Sequence, residues 1–233
     1  MTQVLGKVVT FDEFVAKYPD NTGQRYELYD GVVVEMPQPT GDHEEIIVFL
    51  STKITLEYSR LGLRYGIPKT VLVKPLENES AYSPDLLLLN LTNLVNEPRW
   101  KKESTVTQAA SIPLVIEVVS QCVARVPRVE ATDEPVRVST NWRDDYLKKY
   151  ADYVRVASRR EEMGIPEYWI VDYGALGGRE FIGKPKQPTI LICCLEEGEY
   201  RISKFRGDER IQSPTFPELN LTAEQIFRAG MVS

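Results

Sequence analysis

Two acidic residues in apolar segments are the first candidates for chemistry. Glu117 lies inside the β-branched run 113–120, which is typical of a buried strand. Because a buried, unpaired carboxylate is costly unless it takes up a proton, we expect Glu117 to have a cationic partner or a metal. Asp85 stands at the head of a second apolar run, 86–89. Two acids on neighbouring core strands form a candidate site.

Each acid also has a purely structural interpretation. Asp85 follows Pro84, and an Asp in that position is often a turn former. A single Glu in a strand often lies on its solvent face. For Glu117 the sequence favours burial, because apolar residues flank it on both faces of the predicted strand.

Paired carboxylates with a nearby lysine are suited to phosphodiester hydrolysis. Mg²⁺ prefers oxygen ligands and usually takes one or two protein carboxylates, which Asp85 and Glu117 could supply. A lysine is available in the next predicted helix, at Lys148 or Lys149. The alternative for that segment is a solvated helix face with ion pairs such as Asp145 with Lys149.

The elements that position these residues follow from periodicity and turn signals. A turn at Asp30-Gly31 joins the strands of a predicted N-terminal hairpin. We predict further strands and helices at the following residues: strands 25–28, 32–36, 70–73, 85–90, 112–120, 167–172, 188–195 and 200–205; helices 10–19, 42–61, 223–229, and one that Thr140 or Asn141 caps and that ends by Gly164.

This order predicts an α/β (α+β) fold in one domain, residues 1–233, with a mixed sheet flanked by helices. Strands 70–73 and 85–90 are expected to pair antiparallel. The helix after residue 140 is expected to turn one face, with Tyr146, Leu147, Tyr150, Tyr153 and Val154, towards the core. The segment 121–139 lacks a sustained period, so it is predicted to be an inserted loop.

Composition restricts the classes of protein. The chain has 233 residues, 42% hydrophobic and 27% charged, which excludes a disordered or fibrous protein. Its net charge of −6 means that nucleic-acid binding would need a local basic groove or metal ions. The three cysteines have no zinc-type spacing, and no apolar run approaches membrane-spanning length. We therefore expect a cytoplasmic protein with no membrane segment.

Several segments, taken in order, resemble a family of restriction-endonuclease-like bacterial proteins of unknown function within the PD-(D/E)XK nuclease superfamily. The resemblance runs from about residue 11 to 227 and is carried by Tyr26-Glu27-Leu28-Tyr29-Asp30-Gly31, His43, Ser83-Pro84-Asp85, Ile116-Glu117-Val118-Val119-Ser120, Lys149 and the run 164–172. It implies a restriction-endonuclease-like core with an N-terminal hairpin and extra C-terminal strands. It also implies DNA cleavage with Mg²⁺ or Mn²⁺ at Asp85 and Glu117, in a homodimer.

The chain departs from the superfamily motif at Val119, where restriction enzymes carry lysine two residues after the Glu. The resemblance implies that Lys149 replaces that lysine, with Lys148 as second choice. It further implies that Glu27 faces the site and binds a second metal or orients water, whereas its strand pattern alone indicates a solvent-facing residue. His43, the only histidine, would contact phosphate or carry a proton, or have a structural role. Segment 155–163 resembles a second insertion.

Two other functions are consistent with the sequence. The first is a non-catalytic scaffold that keeps the nuclease fold and binds a partner or nucleic acid; the missing lysine after Glu117 and the acidic charge favour it. The second is a small-molecule hydrolase that uses Ser120 with His43. This hydrolase lacks the Gly-x-Ser-x-Gly turn that would expose such a nucleophile.

Overall fold

A mixed β-sheet forms the centre of the computed structural model, which describes residues 4–5, 8–17, 25–75, 78–123, 138–140, 144–150 and 164–231. The strands are β1 (Val4–Leu5), β2 (Arg25–Tyr29), β3 (Val32–Met36), β4 (Tyr65–Gly66), β5 (Leu72–Val73), β6 (Leu86–Asn90), β7 (Thr105–Val106), β8 (Leu114–Val118), β9 (Gln121–Val123), β10 (Val138–Thr140), β11 (Glu167–Asp172), β12 (Thr189–Glu196) and β13 (Glu199–Phe205).

Helices lie on both sides of the sheet. They are α1 (Phe11–Lys17), α2 (Gly41–Arg60), α3 (Trp100–Glu103), α4 (Arg179–Ile182) and α5 (Ala223–Ala229), with a π-helical turn at Asp144–Lys149 and 3-10 turns at Asn93–Asn96 and Ala109–Ser111. Over these described ranges, none of the helices has the length and apolar character needed to cross a membrane.

The main sheet has the strand order β13-β12-β11-β8-β6-β4. Strands β8 and β11 are parallel, whereas the other neighbours in this sheet are antiparallel. Helices flank the sheet, and a hairpin of β2 and β3 precedes it. The predicted fold class is therefore confirmed, including the hairpin and the C-terminal strands.

One face of the sheet, called the α2 face here, packs against α2 and α5. Ile46, Leu50 and Ile54 recur every four residues along α2 and are fully buried, so they form the apolar stripe that the sequence predicts. They share a cluster with Leu86 and Ile116 of the sheet. Fully burying each such side chain contributes about 1.5–3 kcal/mol, so this face firmly anchors the α2 helix.

The opposite face of the sheet carries a second apolar cluster, which includes Leu87, Val115 and Ile170. Strand β5 packs here, but it pairs in parallel with β7 and contacts Tyr82 through a bridge at Val73. The prediction that 70–73 pairs antiparallel with 85–90 is therefore wrong. Both segments have strand character, but β6 already has β8 and β4 as its partners.

The N-terminal hairpin turns at Asp30 and Gly31, both of which have positive φ, 45° and 78°. This backbone explains the Asp-Gly pair, because glycine tolerates positive φ without strain. A Cβ on Gly31 would also lie 2.6 Å from Val8 Cγ1. Leu28 then exchanges two backbone hydrogen bonds with Ala81, of 2.9 and 2.8 Å, which attaches the hairpin to the segment before β6.

The helices at 10–19, 42–61 and 223–229 are confirmed with small changes of boundary, and Thr222 caps the last through a capping box with Gln225. The segment around residue 140 differs from prediction. Thr140 belongs to β10, which pairs with β9, so it is not a helix cap, and the two ends of the predicted loop 121–139 are strands instead. Asn141, residues 124–137 and residues 151–163, with Tyr153 and Val154, lie outside the described residues.

Candidate active site

Asp85 and Glu117 lie opposite each other where β6 and β8 meet. The antiparallel register pairs Leu86 with Ile116, so the next positions along the ladder are Asp85 and Glu117. Because side chains alternate along a strand, both acids project from the face opposite α2. Asp85 Oδ2 accepts a 2.9 Å hydrogen bond from the backbone N–H of Val118, which fixes its carboxylate against β8.

Glu117 is almost completely buried, with 1% of its surface exposed. Lys149 Nζ lies 3.1 Å from Glu117 Oε2, and Lys149 is itself only 3% exposed. The second oxygen, Oε1, is buried and has no hydrogen-bond partner within the described residues. The solvent-face interpretation of Glu117 is therefore wrong, and the expected cationic partner is Lys149.

Lys149 is carried by the π-helical turn Asp144–Lys149 rather than by a regular α-helix. Two side chains of β11 hold this turn against the sheet: Tyr168 Oη donates to the backbone carbonyl of Asp145 at 3.0 Å, and Asp172 Oδ2 accepts from Tyr146 Oη at 3.3 Å. The turn therefore rests on the strand next to Glu117, which brings the lysine to the acid.

The predicted solvated ion pair between Asp145 and Lys149 is only half right. Asp145 Oδ1 lies 3.8 Å from Lys149 Nζ, but Asp145 is 3% exposed, so the pair is buried. Leu147 was predicted to face the core and is 49% exposed, because the π-helical turn changes the spacing of side chains around the axis. The side chain of Lys148 lies outside the described residues.

Glu27 of β2 reaches the same ammonium group. Its Oε1 lies 3.2 Å from Lys149 Nζ and also accepts a 2.9 Å hydrogen bond from the backbone N–H of Ser83. Glu27 is 5% exposed, so the strand pattern that indicated a solvent-facing residue was misleading. The residues that cover it are distant in sequence, which is why alternation within β2 alone could not predict its burial.

His43 lies in the first turn of α2, which Thr40 caps by accepting from the His43 backbone N–H at 3.3 Å. The imidazole Nε2 lies 3.2 Å from Asp85 Oδ2. Its Nδ1 is 3.4 Å from Glu44 Oε1, without the geometry of a hydrogen bond. The helix start thus places the only histidine of the chain against the acid of β6.

The charges of this cluster shift the pKa values of its members. Burial alone would raise the pKa of Asp85, but the hydrogen bond and charge of His43, with Lys149 and the Val118 N–H, outweigh it and hold the pKa at about 2. Burial acts to lower the pKa of His43, yet Asp85 and Glu44 raise it above the ordinary 6.5. Asp85 and His43 therefore each stabilise the charged form of the other.

The pKa of Glu117 shifts in the opposite direction to that of Asp85. Burial raises the pKa of Glu117 well above its ordinary value; Lys149 opposes this, whereas Asp85, Asp145 and Glu27 add repulsion. Two carboxyl groups on neighbouring strands thus differ strongly in acidity. Such divergence is common at functional sites.

A cavity of about 30 Å³ lies over these groups. Asp85, Glu117 and Lys149 line it together with Arg25, Met36, Pro37, Pro39, His43, Ser83, Val118, Ser120 and Asp145. Within the described part of the chain, no group of three or more His, Cys, Asp or Glu side chains is arranged to hold a metal. Two carboxylates and the partnerless oxygen of Glu117 nevertheless fit Mg²⁺, which commonly takes its remaining ligands from water and phosphate.

The structure brings together all five residues selected from the sequence: Glu27, His43, Asp85, Glu117 and Lys149. Their chemical roles, including Glu27 as a metal ligand, stay predictions. The sequence interpretation gave no role to Arg25, although it lies two residues before Glu27 in the same strand and lines the cavity. That spacing places both on one face of β2 and was the available signal.

The fold of the chain is that of a nuclease-like α+β protein. It is similar to the crystal structure of a putative nuclease belonging to DUF820 from Anabaena variabilis, with a TM-score of 0.60 and 14% sequence identity, covering 95% of this chain and 99% of that chain. The chain belongs to the Uma2 family, described as putative restriction endonuclease, whose family model matches residues 11–125 and 138–224. No curated protein matches it. The family resemblance noted in the sequence is thereby confirmed.

Proposed function

We propose that this protein is a metal-dependent endonuclease that hydrolyses DNA phosphodiester bonds in the cavity lined by Asp85, Glu117 and Lys149. The observation that carries the proposal is the meeting of the buried Lys149 ammonium with Glu117 at 3.1 Å, beside an ionised Asp85. Membership of a family described as putative restriction endonuclease supports the same chemistry.

Asp85 and Glu117 are the proposed ligands of Mg²⁺, with Mn²⁺ as a substitute. When bound, the cation would neutralise charge on the phosphate and make water a better nucleophile near neutral pH. Glu117 Oε1 supports this role, because a buried carboxylate oxygen without a partner is costly and a cation would satisfy it. Glu27 is a weaker candidate for a metal ligand, because its Oε1 already contacts Lys149 Nζ and accepts from the Ser83 N–H.

The protein side chains have separate tasks in this proposal. Lys149 stabilises negative charge on the phosphoryl group or assists deprotonation of the attacking water, and Glu27 keeps its ammonium in place. His43 keeps Asp85 ionised, and as an imidazolium it can release a proton towards a departing oxygen.

We also propose that the chain acts as one domain, with an insertion inside segment 121–139 between β9 and β10, and as a homodimer, because cutting both strands of a duplex needs two sites. The interruption of the family match between residues 125 and 138 supports the insertion. A reducing cytoplasmic setting is consistent with the buried free thiols Cys193 and Cys194.

One observation favours the alternative of a non-catalytic scaffold. Lys149 already pairs with Glu27 and Glu117, so much of the negative charge of the cavity is compensated by the protein itself. A nuclease fold that has lost its metal could be stabilised in this way. Cleavage and metal binding distinguish the two functions.

The test is a nicking assay on supercoiled plasmid with Mg²⁺, Mn²⁺ or EDTA. We compare the wild type with Asp85→Asn and Lys149→Met, which preserve side-chain size. The matched controls are Glu45→Gln and Lys101→Met, which change exposed residues on α2 and α3. The expected result is metal-dependent nicking that both site variants lose by at least about a hundredfold and both controls retain.

Nicking that persists in Asp85→Asn would point to another site or to a contaminant. Wild-type protein that neither cleaves DNA nor binds Mg²⁺ would support the scaffold. Circular dichroism of each variant separates loss of chemistry from loss of fold.

A further inference from the structure

The cavity is too small to admit a nucleotide. Its volume of about 30 Å³ is far below the roughly 300–1,000 Å³ of pockets that enclose small-molecule ligands. That space suits a cation with a water molecule. A phosphodiester backbone must therefore remain at the mouth, and the residues of the rim must hold it there.

The lining residues on the hairpin side are Arg25, Met36, Pro37 and Pro39, and because all four are at least partly exposed they are called the rim here. Arg25 is the first residue of β2 and pairs in register with Met36 at the end of β3. It is solvent-exposed, whereas the neighbouring Tyr26 and Glu27 are buried. Met36, Pro37 and Pro39 are half-buried and give the rim an apolar surface beside the guanidinium-bearing side chain.

The electrostatics of the molecule make a cation at this position important. The net charge is −6, so DNA is repelled by the protein as a whole. Inside the cavity, Lys149 is already engaged by Glu27 and Glu117, and His43 by Asp85. Arg25 is the exposed cation among the lining residues that the structure describes.

We propose that Arg25 binds a backbone phosphate next to the scissile one and so positions DNA across the mouth of the cavity, with Met36, Pro37 and Pro39 in contact with the adjacent sugar. This inference rests on the proposed nuclease function and specifies how that site takes its substrate. A guanidinium suits the task because it offers paired N–H donors to phosphate oxygens. The contact is to the backbone and therefore independent of base sequence.

The test measures binding of a short fluorescein-labelled DNA duplex by anisotropy, with Ca²⁺ in place of Mg²⁺ because Ca²⁺ also takes oxygen ligands. The variants are Arg25→Gln and Arg25→Lys, and the control is Arg64→Gln, which changes an exposed arginine beyond the far end of α2. Each is titrated between about 50 and 200 mM salt. Mg²⁺ affinity and cleavage kinetics are measured on the same proteins.

Arg25→Gln is expected to weaken DNA binding roughly three- to tenfold and to lower the salt slope by about 0.9, with Mg²⁺ affinity unchanged. Arg25→Lys should restore the slope, and Arg64→Gln should match the wild type. If the wild type cleaves DNA and Arg25→Gln keeps its affinity and slope, this inference is wrong while the proposed function stands. If the wild type neither binds nor cleaves DNA, both are wrong.

Discussion

Lys149 Nζ lies 3.1 Å from Glu117 Oε2, and the two side chains are 3% and 1% exposed. The acid comes from the central strand β8 and the lysine from the π-helical turn, so their meeting depends on the tertiary fold. A buried charge that loses its partner is strongly destabilising, whereas a buried pair adds little compared with apolar residues. The pair is therefore better explained by function than by stability.

A double-mutant cycle should reveal the coupling of this pair. Lys149→Met leaves several buried acids without their shared cation, and Glu117→Gln leaves the ammonium with one carboxylate fewer. Each single change is expected to lower the free energy of unfolding by about 3 kcal/mol at neutral pH. The double variant should lose less than the sum, with a coupling of about 2 kcal/mol in urea denaturation.

The control for this cycle is the exposed pair of Arg228 and Glu224 on α5, whose Nε and Oε1 atoms lie 2.8 Å apart. Its coupling should be about 0.3–0.5 kcal/mol, because solvent screens an exposed i,i+4 pair. Equal coupling in the two cycles would mean that Lys149 and Glu117 are solvated in solution.

His43 should titrate above pH 6.5 in the metal-free protein, because Asp85 stabilises the imidazolium. As the only histidine in the chain, it gives one pair of ring resonances in NMR spectra and needs no assignment. Asp85→Asn removes the favourable charge while burial still disfavours the imidazolium, so the pKa should fall below that of the wild type.

The same pair predicts how stability depends on pH. A raised histidine pKa contributes stability that is fully present below 6.5 and is lost as pH rises through the folded pKa. The lowered pKa of Asp85 contributes stability above 3.8 that is lost as pH falls towards about 2. The stability difference between the wild type and Asp85→Asn should therefore be largest between these limits. A difference independent of pH would contradict the ionised pair.

Tyr168 should matter for catalysis more than for stability. Its hydroxyl donates to the carbonyl of Asp145 at 3.0 Å and so holds the turn that carries Lys149. Tyr200 makes a similar 2.7 Å bond to the carbonyl of Ile165, away from the cavity. Tyr168→Phe and Tyr200→Phe should each lower the free energy of unfolding by about 1 kcal/mol.

The rate of DNA cleavage should distinguish the Tyr168→Phe variant from the Tyr200→Phe variant. Tyr168→Phe should lower kcat about tenfold or more through misplacement of Lys149, with KM little changed. Tyr200→Phe should keep the wild-type kcat. Equal kcat values would show that the hydrogen bond to Asp145 does not position the lysine.

Local signals predicted most of the elements because they arise from neighbours in sequence. The apolar stripe of α2, the Asp30-Gly31 turn and the Thr222 cap each depend on residues a few positions apart. The pairing of β5 depends instead on which strands, distant in sequence, have an unpaired edge in the folded sheet. β6 pairs with β4 and β8, so β5 found its partner in β7, which has only two residues.

The residues of the candidate site likewise differ in whether local sequence or tertiary packing determines their environment. Asp85 and Glu117 could be proposed from their strands, because an acid in an apolar run is visible in the sequence. The burial of Glu27 and Asp145 could not be predicted from their own segments, since it is produced by elements that pack over them from elsewhere in the chain. For Glu27, the family resemblance alone indicated that it faces the site. Arg25 was missed because its place on the same face of β2 as Glu27 becomes informative only once Glu27 is known to face the site.

Calorimetric titration of Mg²⁺ tests the central claim, that Asp85 and Glu117 form a cation site, most directly. Glu117→Gln is compared with Glu45→Gln, and buffers of different ionisation enthalpy count the protons released, because a raised pKa of Glu117 links cation binding to deprotonation. We predict one Mg²⁺ per chain, with binding that strengthens as pH rises through the raised pKa of Glu117. Of the two variants, Glu117→Gln alone should lose this binding. Equal binding by Glu117→Gln and the wild type, or none by either, would contradict it.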